Sequence, residues 1–223
     1  MSESENLKPP VTILEQKHNW LKKNSVVVLQ ESPQTINESF LSQIGFTSPK
    51  QTVKKIEVIT SQLFPNKKDW GNQWLRLGSE SLNQIWSVDI KGSAGKEQRK
   101  HLALKAIIEF GSNLEIKAVD EAIRLTLLYQ VDRAPRVYAL SPGTIYRDFL
   151  LEDSDTLTEE DLRKESEKMF QEMAQVGIKP ARRDGPEWLL KSQTILHNKR
   201  LRLIDGSSGD LDGPSFNSLI ANN

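Results

Sequence analysis

The sequence predicts an α+β fold, in which a small, largely antiparallel sheet with a helix-β-β-β-helix-β core carries packed helices and a C-terminal helix plus hairpin. Two kinds of periodicity predict it. Residues 102–110 alternate apolar and polar side chains, as a half-buried strand does. Residues 120–131 and 158–176 instead carry apolar side chains at helical spacing. A chain of 223 residues with both patterns favours one domain with its own core.

The ends of the chain differ in composition from its centre. Turn-forming and acidic residues with little to bury predict disordered tails at residues 1–10 and 205–223. A single α+β domain is expected over residues 11–204. Proline, glycine and charge divide it into a possible N-terminal subdomain, a core, and a C-terminal helix and hairpin, at residues 11–68, 69–150 and 156–204.

The N-terminal segment predicts a helix, a strand and a second helix, in that order. Val11, Leu14, His18 and Leu21 stand at helical spacing, and the apolar run at residues 26–29 is typical of a short strand. The second helix is indicated by the four-residue interval of Ile36, Phe40 and Ile44.

The core segment predicts a helix that Asp69 caps, with Trp70 and Trp74 on one face. Strands are expected at residues 85–90 and 102–110, separated by a polar loop. The alternation of residues 114–119 after the turn at 111–113 predicts another strand, which forms an antiparallel hairpin with residues 102–110. Asp120 then begins a helix to residue 131, and residues 136–140 return as a strand.

The C-terminal segment predicts an amphipathic helix followed by a hairpin. Thr158 is the expected N-cap, and the helix ends at Gly177. Its apolar stripe should dock on the core or on a partner, and consists of Leu162, Met169, Met173 and Val176. The hairpin spans residues 192–204 and turns at 197–199.

Composition excludes several classes of protein. The chain has no cysteine, which excludes disulfide scaffolds, thiolate metal sites and cysteine nucleophiles. No apolar run has the length of a membrane helix, and the first ten residues are too acidic and polar for a signal peptide. We therefore expect a soluble, cytoplasmic protein with no membrane partner. The balance of 30 basic and 30 acidic residues argues against strong non-specific binding to nucleic acid.

Known cofactor and catalytic motifs are incomplete. The loop from Gly92 to Lys96 fails as a phosphate-binding P-loop, because Ile90 and Glu97 occupy positions that require glycine and a hydroxyl. The chain also lacks a nucleophile elbow and a dinucleotide fingerprint, and its three histidines are scattered. No cofactor is expected on this interpretation.

The leading hypothesis is therefore a non-enzymatic protein-binding, assembly or regulatory factor that acts on an unidentified protein partner. The acidic amphipathic helix and the segregated charges suit such contacts. Nucleic acid is the other partner considered, because basic residues cluster in two stretches. The candidate binding residues are Lys91, Lys96, Arg99, Lys100, Arg182, Arg183, Trp70 and Trp74.

The alternative is an enzyme. Glu115 and Lys117, on a predicted strand within the helix–three strands–helix–strand order, resemble the core of the restriction-endonuclease-like nucleases. The resemblance implies a metal-dependent nuclease, or a degenerate nucleic-acid-binding relative, in which Glu115 and Asp89 hold Mg²⁺ and Lys117 activates water. Glu109 is the other candidate for the second acid.

Overall fold

A computed structural model gives the fold. It describes residues 11–31, 38–45, 52–60, 83–91, 97–106, 114–148, 150, 153, 157–181, 186, 190, 193–204, 206 and 211–221. The predicted helix at Asp69 and the predicted turn at residues 111–113 lie outside these ranges, as do residues 107–110 of the predicted strand.

The described residues form both helices and strands. The helices are α1 (Ile13–Lys23), α2 (Glu38–Gln43), α3 (Leu114–Gln130), α4 (Glu159–Gln175) and α5 (Phe216–Ala221). The longer strands are β2 (Thr52–Thr60), β3 (Asn83–Lys91), β4 (Glu97–Ala106), β5 (Val137–Ser141) and β6 (Thr144–Asp148). The shorter strands are β1 (Val27–Val28), β7 (Lys179–Pro180), β8 (Thr194–His197), β9 (Arg200–Leu203) and β10 (Leu211–Asp212).

The central sheet has six strands in the order β1-β5-β6-β4-β3-β2. Every neighbouring pair is antiparallel except β1 and β5, which run parallel. The α+β class and the largely antiparallel sheet predicted from the sequence are confirmed. Strands β1 and β2 bring parts of the N-terminal segment into the same sheet as the core segment.

Helix α1 and strand β1 confirm the prediction for the start of the chain. Thr12 caps α1 through a capping box, since its hydroxyl accepts from the Glu15 N–H and the Glu15 carboxylate accepts from the Thr12 N–H. Trp20 and Leu21 are buried on the side that meets α3. This contact ties the N-terminal helix to the core.

Residues 114–119 contradict the prediction of a strand and of its hairpin with residues 102–110. They form the first turns of α3, which starts at Leu114 rather than at Asp120. The short alternation coincided with the start of a helical pattern, in which Ala118, Ala122 and Leu125 are fully buried. Strand β6, which the sequence pattern does not predict, is the pairing partner of β4 instead.

Helix α4 begins and ends where the sequence predicts. The Thr158 hydroxyl accepts from the Asp161 N–H, and Gly177 adopts a φ of 73° just beyond the last turn. Met169 and Met173 are fully buried, whereas Leu162 at the start of the predicted stripe is 44% exposed. The helix therefore docks on the core of its own chain through its C-terminal half.

The predicted hairpin near the C-terminus is confirmed as β8 and β9. Its turn residues Asn198 and Lys199 have φ values of 51° and 60°, as a tight two-residue turn between antiparallel strands requires. The expectation of a disordered tail at 205–223 does not hold for residues 211–221. Strand β10 pairs with β7, and Leu211 is buried in the core cluster together with α3 and α4 residues.

Candidate functional site

The most distinctive contact of α3 is with the chain that leaves β9. Glu121 lies in the middle of α3 and is only 2% exposed. Its Oε1 lies 3.5 Å from the N–H of Gly206, which donates to it. One helical turn further, Arg124 Nε donates to the Gly206 carbonyl oxygen at 2.6 Å. We call Glu121, Arg124, Leu125 and Gly206 the Gly206 junction.

A side chain at Gly206 would be crowded by side chains of α3. A Cβ atom at this position would lie 3.0 Å from Leu125 Cγ and 3.1 Å from Glu121 Cγ. The backbone therefore lies directly against the helix, which lets both of its polar groups reach α3 side chains. The buried carboxylate of Glu121 gains a hydrogen-bond donor there, and a buried carboxylate without one is costly.

Strand β4 pairs with β6, and β6 packs against α3. Lys105 occupies the β4 position that pairs with Ile145 on β6. Ile145 is fully buried in the same core cluster as Ala118, Ala122 and Leu125 of α3. The register thus brings the end of β4 to the part of the sheet that α3 packs against.

A buried ion network holds the hairpin β8–β9 against α3 and α4. Arg133, which follows α3, is fully buried and donates to Glu165 and Glu172 of α4 and to the Leu201 carbonyl oxygen. Arg200 Nη2 reaches the same Glu172 at 2.8 Å. Asp132 completes the network through Arg202 at 2.7 Å and Arg200 at 3.4 Å. Arg133 at the centre is fully buried and Asp132 at the edge is 44% exposed, and we call these six charged residues the buried ion network.

The network fixes the chain just before Gly206. The Leu203 N–H donates to the Arg133 carbonyl oxygen at 2.8 Å, so β9 is tied to the end of α3 by backbone as well as by side chains. Burial raises the pKa of Glu172, but the hydrogen bond and charge of Arg133 and the charges of Arg200 and Lys168 together lower it by more, so the net shift is downward. The folded state therefore stabilises the ionised form of Glu172.

The outer side of α3 contacts α1 and α5. Lys17 Nζ lies 2.6 Å from Asp120 Oδ1 and 5.7 Å from the centre of the Phe216 ring. A cavity of about 150 Å³ lies between these elements, and Arg124 is among its lining residues. Helix α3 is thus contacted by an element before it in the chain and by one after it.

A buried tyrosine and carboxylate pair links β5 and β6. The Tyr138 hydroxyl donates to Asp148 Oδ1 at 2.7 Å, and the Arg136 guanidinium lies 4.9 Å from the Tyr138 ring. Burial and the Asp148 charge raise the pKa of Tyr138 far above its usual range. The hydroxyl therefore stays protonated, which fits a structural donor.

The nuclease hypothesis requires Glu115 and Lys117 on one face of a strand, and the structure does not place them there. Glu115 and Lys117 lie on the first turn of α3 and not on a strand face, so the predicted alternation that aligned them is wrong. Glu115 lies 3.9 Å from His18 of α1. Asp89 is on β3, where it pairs in register with Lys55 and Arg99. Glu109 lies outside the described residues.

The candidate binding residues divide between described strands and other segments. Lys91 ends β3 opposite Glu97, and Arg99 and Lys100 lie on β4. The described ranges do not include Lys96, Arg182, Arg183, Trp70 or Trp74. Glu121, Arg124 and Gly206 are not among the residues that the sequence predicts for a site, because Gly206 stands in a turn-like run together with Gly209 and Gly213.

No protein-family model matches this chain, and no curated protein matches it. In the ranges that the structure describes, no three side chains of histidine, cysteine, aspartate or glutamate converge as metal ligands would. None of the helices described is both long and apolar enough to cross a membrane.

Proposed function

We propose that this chain binds a nucleoside triphosphate with the arrangement that protein-kinase-type phosphotransferases use. The observation that carries the proposal is the Gly206 junction. It brings a buried carboxylate of the helix after β4 to the peptide that directly follows Asp205.

The order of the elements supports the proposal. Protein kinases carry a lysine on the third strand of a sheet and a glutamate on the helix that follows, and this ion pair positions the nucleotide phosphates. Here β2, β3 and β4 are three consecutive antiparallel strands, and α3 follows β4. Strands β5 and β6 then complete the same sheet beside β4.

The residue types at these positions agree with the same chemistry. The segment Leu102-Ala-Leu-Lys105 on β4 is similar to the V-A-I-K segment of kinases, in which the lysine contacts the α- and β-phosphates. We assign that role to Lys105. We assign the buried Glu121 of α3 as the carboxylate of the ion pair. Helix α3 packs in the same core cluster as Ile145, the β6 residue that pairs with Lys105.

The third role in a kinase site, that of the magnesium-binding carboxylate, we give to Asp205, which directly precedes Gly206 in the sequence. Kinases hold magnesium with the aspartate of a D-F-G segment, and the ion bridges and neutralises phosphate oxygens. In this sequence Asp205 follows the hydrophobic end of β9 and stands directly before Gly206. Carboxylate oxygen is the donor type that Mg²⁺ prefers. Asp205 lies outside the described residues, and from its place in the sequence we assign it as the residue of this chain that would hold the ion.

The sequence also departs from the kinase pattern. It has no G-x-G-x-x-G segment, and the nearest match to H-R-D is Arg182-Arg-Asp184. Leu189 stands where the second metal-binding residue, an asparagine, would follow that aspartate. Nucleotide binding is therefore the first property to measure, and phosphoryl transfer the second.

The test is calorimetric titration of the whole chain with ATP in the presence of Mg²⁺. We expect saturable binding that Lys105→Met weakens by about tenfold or more, because a charged donor to phosphate contributes roughly 1.5–3 kcal/mol. Glu121→Gln should weaken binding in the same direction. Lys164→Met is the matched control, since Lys164 lies on the exposed face of α4 and pairs only across one helical turn with Glu160.

Three results would contradict the proposal: no binding by the wild-type chain, equal binding by Lys105→Met, or equal losses in Lys105→Met and Lys164→Met. Transfer is measured separately, by following the γ-phosphate of labelled ATP into protein or water. Binding without transfer would identify a nucleotide-binding relative of these enzymes. The expected cytoplasmic location belongs to the same proposal, and the protein-partner hypothesis from the sequence stays a prediction.

A further inference from the structure

We infer that residues 211–221 form a strap, in which α5 docks in the groove between α1 and α3 and restrains the movement of α3. We call these residues the strap. Its docking is a conformational device built into the fold and goes beyond the proposed function. The effect of the strap on nucleotide affinity, which is tested last, rests on that function.

The first half of the strap is fixed on both sides. Leu211 is 1% exposed, and its strand β10 pairs with β7. Pro214 packs against Gly177, where an added Cβ atom would lie 3.3 Å from Pro214 Cβ. Gly213 lies against α3, where an added Cβ atom would lie 3.3 Å from Arg124 Cγ. These contacts determine where the strap enters the groove.

The second half of the strap is the short helix α5. Its six residues begin after Ser215, whose hydroxyl accepts from the Ser218 N–H at 3.3 Å. A helix of this length is not stable in water by itself, so it depends on tertiary contacts. Phe216 and Leu219 supply them, since both are partly buried and pack against the core cluster. Helix formation in α5 is therefore coupled to its docking.

Lys17 joins the docked α5 to the other two helices. Its Nζ lies 2.6 Å from Asp120 Oδ1 of α3 and 5.7 Å from the centre of the Phe216 ring. The Lys17 side chain is 14% exposed, so its charge depends on these neighbours more than on water. Asp120 directly precedes the buried Glu121. The docked strap thus restrains the turn of α3 that carries Glu121.

The cavity under α5 indicates that this docking is reversible. It has a volume of about 150 Å³, and Ile123 and Leu127 of α3 and Leu219 of α5 are among the residues that line it. Atoms beside an unfilled space lack packing partners on one side, so α5 gains less from docking than a fully packed helix would. We therefore expect α5 to open more often than the elements around it.

Amide hydrogen exchange of the whole chain tests the strap. Phe216→Ala combined with Leu219→Ala removes the docking contacts, and Asn217→Ala, at an exposed position of the same helix, is the matched control. In the double variant we expect exchange about tenfold faster in α5, about threefold or more faster in residues 120–127 of α3, and unchanged in β5. Asn217→Ala should leave α3 unchanged.

Two results of this experiment would overturn the strap. Faster exchange in α5 alone would show that α3 keeps its place without it. Equal acceleration in α5, α3 and β5 would show a general loss of stability and not the release of one element. Lys17→Met keeps the aliphatic stem but loses the cation, and exchange in α5 no faster than in the wild type would exclude Lys17 as the link between the helices.

The last measurement connects the strap to the proposed function. Titration with ATP and Mg²⁺ should show about threefold weaker binding or more in the double variant, and wild-type binding in Asn217→Ala. If the wild type binds ATP and the double variant binds it equally well, the strap does not act on the nucleotide site. If the wild type binds no ATP, the proposed function fails, and the exchange rates alone decide whether the strap restrains α3.

Discussion

The inner and outer faces of α4 carry the same kinds of ion pair in very different surroundings. On the inner face, Glu165 and Glu172 meet Arg133, whose side chain is fully buried. On the outer face, Arg163 pairs with Glu167 one turn away, and their side chains are 64% and 58% exposed. Both pairs join a guanidinium to a glutamate of one helix.

The difference shows that exposure to solvent, and not residue type, decides how much each pair contributes to stability. Water screens the outer pair and solvates either partner when the other is removed, so the pair contributes little. The inner carboxylates are 14% and 19% exposed, and they have lost most of that solvation. Each charge there depends on its partner, so the buried ion network ties α4 to the end of α3 and to β9.

The largest effect is expected from Arg133→Met, which removes the buried cation and keeps an aliphatic side chain. Glu165 and Glu172 would remain close together without that guanidinium. Breaking a buried pair in this way typically costs about 3–5 kcal/mol. We expect the free energy of unfolding, measured by urea titration, to fall by that amount.

A loss of less than about 1 kcal/mol in the unfolding free energy of Arg133→Met would show that the inner pairs contribute no more than surface pairs do. A second variant separates charge from packing: Arg133→Met combined with Glu165→Gln and Glu172→Gln should recover part of the loss, because the like charges are gone. Without such recovery, the loss would be one of packing and not of electrostatics.

Much of α4 could be predicted from the sequence, but its charge partners could not. The cap at Thr158, the buried Met169 and Met173 and the stop at Gly177 follow from local chemistry, and each is confirmed. Helical spacing places Glu165 beside the apolar stripe and Glu167 on the opposite face, but the local sequence does not indicate which cation Glu165 meets. Only the approach of Arg133 from another part of the chain gives one of them a buried role.

Helix α3 and the Gly206 junction likewise depend on contacts with distant parts of the chain, which the local sequence does not predict. The alternation over six residues fits a strand and a helix equally, and the packing of α3 on the sheet decided between them. The end of the chain looked like a tail because its few apolar residues are widely spaced. Leu211 and Phe216 nevertheless pack against the core, in contacts that depend on the position of α3.

A smaller effect is expected from pH, through Glu172. Arg133 and Arg200 lower the pKa of Glu172 against the opposing effect of burial. A carboxyl group with a lowered folded-state pKa contributes stability above its ordinary value of about 4.3, and that contribution is lost as the pH falls through the lowered pKa. The stability difference between wild type and Glu172→Gln should therefore be constant near pH 7 and shrink below about pH 4. Urea titrations of both chains from pH 7 to pH 3 measure it, and a constant difference over that range would contradict the expectation.

The smallest effect is expected from the outer face of α4. Arg163→Met makes the same change as Arg133→Met on the same helix, but it breaks a pair one helical turn apart in water, worth about 0.3–0.5 kcal/mol. We expect a change in unfolding free energy below about 0.5 kcal/mol that disappears in 1 M salt, because exposed charges are screened there. The loss in Arg133→Met should persist in the same salt, since buried pairs are screened much less. If the two losses responded alike to salt, solvation would not be what separates the two faces, and the buried ion network would behave as another set of surface charges.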